Sequence, residues 1–235
     1  MCKNVKKAAA VICALSLMAF GFAGCGQNDA SDASSAGTSA GTEGSSYIAS
    51  QEPGYTVSDS MPDGIYSVDL DLSTLAQQDD GTYKVHATIE AYDTYDLVEI
   101  NQMKEGDTVQ VAGQDILVES VETTDTGIIS VNGGTEEGGY DFAPIGDDSN
   151  GYRTVTLDDY PLYYAVGETD LTIADTAELS DAYGGESTDE PTKVSGIDNV
   201  ISYMQENYAD AWTCGSTSVT IESGVVTQVD RIWVP

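Results

Sequence analysis

The densest group of side chains that can do chemistry is a tyrosine cluster beside two carboxylates. Asp158 and Asp159 precede Tyr160, and Tyr163 and Tyr164 follow shortly after. Tyrosine rings can stack on a sugar while neighbouring carboxylates accept hydrogen bonds from its hydroxyls. The alternative, which the pattern favours, is cross-strand packing with the tyrosine hydroxyls in water. The five residues are the candidate ligand site that the sequence offers.

A second candidate is a calcium site at Asp147, Asp148 and Asn150, in an acidic turn. Ca²⁺ takes carboxylate and amide oxygens as ligands, and a turn can bring several of them together. The segment does not fit an EF-hand loop, because Gly146 stands where the first ligand belongs. Solvated turns are the alternative. We therefore expect no cofactor, with Ca²⁺ as the one metal that the sequence allows.

Residue types count against several other kinds of site. His86 is the only histidine, and the alternation of its segment places it on a polar face with Lys84, Thr88 and Glu90. A structural or surface role for His86 is therefore favoured over a catalytic base, and zinc has too few ligands. The glycines near Gly133 are not a phosphate loop, since no Gly-Lys-Ser/Thr follows.

The charge of the chain restricts its partners. Eight Lys and Arg residues oppose 40 Asp and Glu residues, which gives a formal net charge of −32. Nucleic acid binding requires clustered Lys and Arg, and here the basic residues of the body are scattered singly, so we predict no nucleic acid partner. Anionic lipid headgroups repel such a surface as well. Any contact with a membrane must therefore come from something other than the folded surface.

The first 25 residues have the pattern of an exported chain. Lys3, Lys6 and Lys7 precede an apolar run over residues 8–22, which is shorter than the about 20 apolar residues of a spanning helix. The run ends in Phe22-Ala23-Gly24-Cys25, which resembles the lipobox of bacterial lipoproteins. Phe22 departs from the aliphatic residue that is usual at its position.

The lipobox resemblance implies that residues 1–24 are a signal peptide and that Cys25 carries a diacylglyceryl group as the first mature residue. Two acyl chains hold a protein on a membrane for long periods. We therefore expect a protein anchored to the cell membrane through its lipid alone and facing outside the cytoplasm. Because Cys2 and Cys13 would leave with the signal peptide, we also predict a fold that does not depend on disulfides, with Cys214 as a buried, small apolar residue.

The likeness extends weakly into the body of the chain. Residues 104–109, 132–134 and 231–235 follow one another in an order that looks like uncharacterised surface lipoproteins of Gram-positive anaerobes. These segments consist mostly of turn residues. The likeness brings no activity with it.

Composition divides the mature chain into a tether and a body. Residues 25–55 are predicted to be the lipidated cysteine and a disordered tether, since Gly, Ala, Ser and Thr dominate and almost nothing can form a core. The body is predicted to contain a β-rich subdomain at 56–133 and an α+β subdomain at 134–235. The two can also form one domain.

Hydrophobic periodicity predicts an α+β fold that is predominantly antiparallel β, a small barrel or sandwich. Alternating residues at 65–72 and 83–92 indicate strands, and turn signals recur at short intervals. Apolar residues at helical spacing over 197–211 predict one amphipathic helix, which Ser195 can cap. We expect this helix to pack on a terminal hairpin around Ser223-Gly224.

These observations predict an extracytoplasmic lipoprotein whose body is a non-enzymatic binding or structural module at the cell envelope. Its expected partner is a cell-wall glycan or an envelope protein. The alternative is a carboxylate-dependent hydrolase acting on glycan or peptide, for which 40 acids offer candidates without singling out a pair. An acid that is essential for turnover but not for stability would identify the hydrolase.

Overall fold

A computed structural model describes residues 45–51, 53–146, 151–182, 190–207 and 211–232. Within these ranges the chain forms fourteen strands and three helices, so the predicted α+β class with predominantly antiparallel β-structure is confirmed. The elements are β1 (Tyr47–Ile48), β2 (Gly64–Gln77), β3 (Tyr83–Ala91), β4 (Thr94–Asp96), α1 (Leu97–Asn101), β5 (Thr108–Val111), β6 (Gln114–Leu117), β7 (Val121–Thr123), β8 (Ile129–Val131), α2 (Gly134–Glu137), β9 (Tyr140–Pro144), β10 (Gly151–Val155), β11 (Tyr164–Asp181), β12 (Thr192–Ser195), α3 (Ile197–Glu206), β13 (Thr217–Glu222) and β14 (Val225–Arg231).

Five strands close into a barrel. The hydrogen-bonded order of the largest sheet is β12-β11-β14-β13-β2-β3, and β3 also pairs with β11. The ring closes because β11 is 18 residues long: its first half pairs antiparallel with β3, and its second half pairs parallel with β14. A five-stranded Greek-key barrel in which α3 lies between the third and fourth barrel strands has the topology of the OB-fold.

Strand alternation explains the barrel core. In β2 and β3 the apolar residues point inward, and Val68, Ala87 and Ile89 are completely buried, while the polar residues between them face outward. These residues form one cluster with apolar side chains of β11, β13 and β14. Removing apolar surface from water at about 25 cal/mol per Å² is what stabilises such a core.

The predicted C-terminal helix is α3, and it is shorter than expected. Val200, Ile201 and Met204 bury its apolar face in the barrel core, together with residues of the β13–β14 hairpin. The N-cap is Gly196, which makes no side-chain capping bond, so the expected cap at Ser195 is wrong. Ser195 instead ends β12, where it pairs with β11.

Residues 92–146 and 151–163, which lie between β3 and β11 in the sequence, supply most of a second core. One sheet has the order β4-β10-β9-β8-β7, and another has the order β1-β5-β6. Tyr95 and Phe142 meet edge to face at 5.1 Å in this core. The barrel core therefore draws on both ends of the body, and the two cores do not follow the predicted division between residues 133 and 134.

The folded body begins earlier than the sequence predicts. Tyr47–Ile48 pairs with β5, and Ile48 is 3% exposed in the second core. The Ser46 N–H donates a hydrogen bond of 2.7 Å to Asp107 Oδ1. The segment then continues to Tyr55 and Val57, which pack against the barrel core. Residues 45–51 and 53–61, here called the strap, therefore join both cores, although part of this segment was predicted to be tether.

Cys214 is 7% exposed, so it is the buried, small residue that the sequence predicts.

Three predicted features lie outside the residues that the structure describes: the signal peptide, the lipidated Cys25 and the calcium candidates Asp147, Asp148 and Asn150. In the described ranges, the helices are all too short or too polar to span a bilayer.

Candidate functional site

A cleft of about 450 Å³ lies between the strap, the barrel strands β2 and β3, and the loop before β13. Its volume is within the range of small-molecule sites. We call it the tyrosine cleft, because four tyrosines line it together with several hydroxyl side chains, two isoleucines and one carboxyl. The residues in question are Tyr55, Tyr66, Tyr92 and Tyr163; Ser67, Thr94, Ser216, Thr217 and Ser218; Ile65 and Ile232; and Glu90.

Two edge-to-face tyrosine pairs form walls of the cleft. Tyr55 of the strap meets Tyr66 of β2 with ring centroids 4.9 Å apart, and Tyr92 meets Tyr163 at 5.4 Å. Edge-to-face contact is a favourable arrangement of aromatic rings. The hydroxyl of Tyr66 also donates a 2.7 Å hydrogen bond to the carbonyl of Pro62. These contacts hold the walls in place before any ligand arrives.

The loop before β13 closes one side of the cleft through a glycine. Gly215 has a φ of 75°, in the left-handed region that favours glycine. Its N–H donates a 3.5 Å hydrogen bond to Ser67 Oγ, and a Cβ at this position would lie 3.7 Å from the ring of Tyr163. At the rim, Ile65 and Ile232 are 74% and 56% exposed, so apolar surface surrounds the entrance.

Glu90 supplies the carboxyl of the cleft. It follows the inward-facing Ile89 in β3, so strand alternation turns it outward, where it pairs with Ser67 of β2 and Ala165 of β11. Its Oε2 atom is buried and has no hydrogen-bond partner among the described groups. Burial, and then the charge of Asp69, raises the pKa of Glu90 to about 7. Such a group is costly for a fold alone, and perturbed groups in clefts are typical of functional sites.

Tyr163 stays protonated next to this carboxyl. Burial raises the pKa of its hydroxyl, and neighbouring Tyr92 and Glu90 act in the same direction, while Ser67 and the charge of Arg153 oppose them. The hydroxyl is therefore a hydrogen-bond donor throughout the neutral range. Tyr163 can therefore donate a hydrogen bond to a ligand, whereas the ionised carboxylate of Glu90 can only accept one.

Carboxylates continue from the cleft along the outer face of the barrel. Three rows of outward residues cross β2, β3 and β11: Ser67, Glu90 and Ala165; then Asp69, Thr88 and Glu168; then Asp71, His86 and Asp170. We call Asp69, Asp71, Glu168 and Asp170 the acidic strip.

His86 lies within the acidic strip on the polar face, as predicted. Its Nδ1 is 3.1 Å from Asp170 Oδ1, and its Nε2 is 3.8 Å from Glu168 Oε2. This outer face binds oligonucleotides or oligosaccharides in many OB-folds. Here its carboxylates repel phosphates, so the fold alone does not indicate nucleic acid binding.

The structure separates the five residues of the predicted tyrosine cluster. Tyr163 lines the tyrosine cleft, whereas Tyr164 begins β11 and pairs with Ala91. Successive residues of an extended chain point to opposite sides, so neighbouring tyrosines do not face one cleft.

The other three residues of that cluster form a turn. Asp158 and Asp159 are exposed, and the N–H of Asp159 donates to the carbonyl of Thr156. The carbonyl of Tyr160 accepts a bond from the N–H of Thr156. Tyr160 and the two aspartates therefore do not line the tyrosine cleft.

A second cleft, of about 230 Å³, contains Asp141 and Asp159. Asp141 accepts hydrogen bonds from the hydroxyl of Ser130 at 2.6 Å and from the hydroxyl and N–H of Thr135 at 2.6 and 3.0 Å. These bonds fasten the start of α2 to β8 and β9. Because the fold itself satisfies this carboxylate, we regard it as structural.

Sequence reasoning missed Glu90, Tyr92 and Tyr55 as members of one site. In the sequence Glu90 is one more polar residue of an alternating strand, and the three residues are brought together only by the fold. The available signal was local: a carboxylate and an aromatic residue stand at the end of a strand, where sites often form.

In the part of the chain that the structure describes, no group of three or more His, Cys, Asp or Glu side chains is arranged to hold a metal ion. Compared with known proteins, the chain matches no family model, no curated protein and no solved structure.

Proposed function

We propose that this protein is a lipid-anchored module on the outer side of the cell membrane, which binds a ligand in the tyrosine cleft without turnover. The anchor follows from the lipobox sequence that ends in Cys25. The ligand site depends on one observation: Glu90 Oε2 is buried and unpartnered, within the described residues, in a cleft walled by tyrosine pairs.

The physical support is the cost of that carboxyl. A buried polar atom without a hydrogen-bond partner costs about 1–3 kcal/mol. A ligand donor placed against Oε2 recovers this free energy at the moment of binding, while the tyrosine rings contribute apolar contact. The hydroxyls of Ser67, Thr94 and Ser218 add further polar contacts around the same space.

The cleft is tested by ligand-induced stabilisation of the purified protein. We would measure thermal unfolding with chitotetraose, N-acetylglucosamine, glucosamine and choline as probes. A bound ligand stabilises by RT ln(1 + [L]/Kd), so a saturable rise in the melting temperature is expected for at least one probe. Tyr163→Ala should abolish the rise and Glu222→Gln, a change of an exposed acid on β13, should preserve it. A rise that persists in Tyr163→Ala, or no rise with any probe, would overturn the assignment.

The anchor is tested by mass spectrometry of the protein purified from its native membrane. The expected N-terminal peptide begins at Cys25 with diacylglyceryl on its sulfur, and Cys25→Ser should move the protein out of the membrane fraction. A thioether-linked sulfur cannot also form a disulfide. An intact leader, or a disulfide that includes Cys25, would therefore contradict the anchor.

A second candidate function is a carboxylate-dependent hydrolase, and one observation favours it. Glu90, with its pKa raised to about 7, faces outward on β3. Asp69 faces outward on the neighbouring strand β2, in the next row of outward residues, where it pairs with Thr88. An acid that retains its proton near neutral pH beside a second carboxylate is the pairing that glycosidases use. Hydrolysis of p-nitrophenyl glycosides that is lost in both Glu90→Gln and Asp69→Asn would favour this function. Saturable binding without turnover would favour the binding module.

A further inference from the structure

We propose that the ligand of the tyrosine cleft carries a positively charged amine, which pairs with the Glu90 carboxylate between the two tyrosine pairs. This inference depends on the cleft being a ligand site, as proposed above. It goes further by naming the chemical class that the site recognises.

The first argument is the composition of the cleft. A cation is attracted to the negative face of an aromatic ring, and cages of aromatic residues recognise quaternary ammonium groups. Here four tyrosines line the same space as a single carboxyl among the described lining residues. The Oε2 atom of Glu90 already lies out of water and has no hydrogen-bond partner in the described part of the chain, so an ammonium group would supply the charge that this position lacks.

The second argument is the field around the cleft. The acidic strip extends from the row next to Glu90, and the whole chain carries a formal net charge of −32. Clefts bordered by charge of one sign concentrate ligands of the opposite sign. A neutral sugar gains nothing from this field, and an anionic one is repelled.

The basic residues around the cleft do not cancel this negative field. Arg231 pairs with the buried Asp181 elsewhere in the barrel. The charge of Arg153 acts on Tyr163, but Asp69 is the charged group that acts on Glu90. Lys84 stands near the other end of β3, where it pairs with Thr172 of β11. No cation of the described chain therefore neutralises the Glu90 carboxyl.

The titration of Glu90 gives the proposal a distinctive pH dependence. Asp69 on β2 and the tyrosines Tyr55, Tyr66, Tyr92 and Tyr163 are the titratable groups around it, with Arg153 beyond Tyr163. Burial and the charge of Asp69 raise the pKa of Glu90 to about 7, while burial raises the pKa values of Tyr55, Tyr66 and Tyr163 above their usual value of 10.0. A quaternary amine should therefore bind more tightly at pH 8, where Glu90 is ionised, than at pH 5.5. Choline keeps its charge across this range.

The test is isothermal titration calorimetry with matched probes on the purified protein. Choline is compared with its neutral carbon isostere 3,3-dimethylbutan-1-ol, and glucosamine with N-acetylglucosamine. We expect choline to bind at least about tenfold more tightly than its neutral isostere at pH 8. The amine of glucosamine loses its proton in the mildly alkaline range, so the second pair is compared at pH 7, where glucosamine should bind more tightly than N-acetylglucosamine. Glu90→Gln should remove this preference, and Glu222→Gln should retain it. Tyr163→Leu, which keeps apolar bulk but removes the ring, should weaken choline binding while leaving the neutral isostere unchanged.

Two outcomes would overturn the inference. Equal affinity for charged and neutral members, or a preference that survives Glu90→Gln in protein with a normal unfolding curve, would show that the ligand is not a cation. If neutral probes then bind in a manner that Tyr163→Ala abolishes, the binding function stands and only its ligand class is wrong. If no probe binds at all, both proposals fail.

Discussion

Arg231 and Asp181 form a bidentate ion pair in which both side chains are completely buried. Arg231 Nη2 and Nε lie 2.5 and 2.9 Å from the two carboxylate oxygens of Asp181. The guanidinium also lies over the ring of Trp212 at 3.9 Å, and the hydroxyl of Tyr203 donates to Asp181 at 3.0 Å. The pair therefore ties the ends of β11 and β14 to α3 and to the loop that follows it.

Asp181→Asn is expected to lower the free energy of unfolding by about 3–5 kcal/mol, because it leaves the buried guanidinium without its countercharge. The measurement is urea unfolding at neutral pH. Asp175→Asn, at an exposed position of the same strand, is the control and should change the free energy of unfolding by less than about 0.5 kcal/mol. Equal effects of the two substitutions would show that the pair does not stabilise the barrel.

Glu90 is expected to make the folded protein less stable as the pH rises through neutrality. Its folded pKa of about 7 lies above the ordinary value of 4.5, so its stabilising contribution is complete below pH 4.5 and is lost as the pH rises through 7. Glu90→Gln should therefore be more stable than the wild type at pH 8, by about 1 kcal/mol after allowance for solvent screening, and similar to it near pH 4.5. Urea unfolding at both pH values checks this. A difference that is constant with pH, or the same difference in Glu222→Gln, would contradict it.

Ile48 tests where the folded body begins. If the strap is part of the fold, Ile48→Ala should reduce the free energy of unfolding by about 2–4 kcal/mol, because it leaves a cavity in the second core. Tyr47→Ala, at a 55% exposed position of the same strand, should cost less than about 1 kcal/mol. If residues up to 55 were a disordered tether, neither change would alter the chemical unfolding curve.

Asp141 is expected to stabilise the start of α2 at neutral pH. Burial alone would raise its pKa, but hydrogen bonds from Ser130 and Thr135 outweigh burial and lower it. Its contribution is therefore present above the unfolded pKa and is lost as the pH falls through the folded one. Asp141→Asn should cost about 1 kcal/mol at pH 7 and progressively less in acid. Asp125→Asn, in an exposed turn, is the matched control, and an equal cost in both variants would contradict the role of these bonds.

Much of the local structure was predictable because strand alternation is a local signal. The inward and outward residues of β2 and β3, including His86 on the polar face, follow the period of two in the sequence. The helix α3 was also visible, although its cap and last residues were not. Gly196 occupies the cap, which shows that capping propensity is weaker than the geometry that joins β12 to α3.

The candidate site was mostly not predictable from the sequence. Tyr163 was named in advance for its place in a tyrosine-rich segment, and it does line the cleft, but Tyr160 and Tyr164 do not. Tyr55, Glu90 and Tyr163 belong to three distant segments, so no local pattern joins them. Their meeting depends on the closure of the barrel and on the course of the strap.

The sequence by itself determined the strand-rich class and the acidic composition, because these depend on residue type and short-range spacing. The tertiary structure alone decided that β11 pairs with both β3 and β14, that the segment between β3 and β11 supplies most of a separate core, and that the strap belongs to the fold. The physical reason is that strand pairing and burial satisfy hydrogen bonds and apolar surface over long sequence separations. The buried oxygen of Glu90, which has no hydrogen-bond partner among the residues that the structure describes, is a product of those long-range contacts.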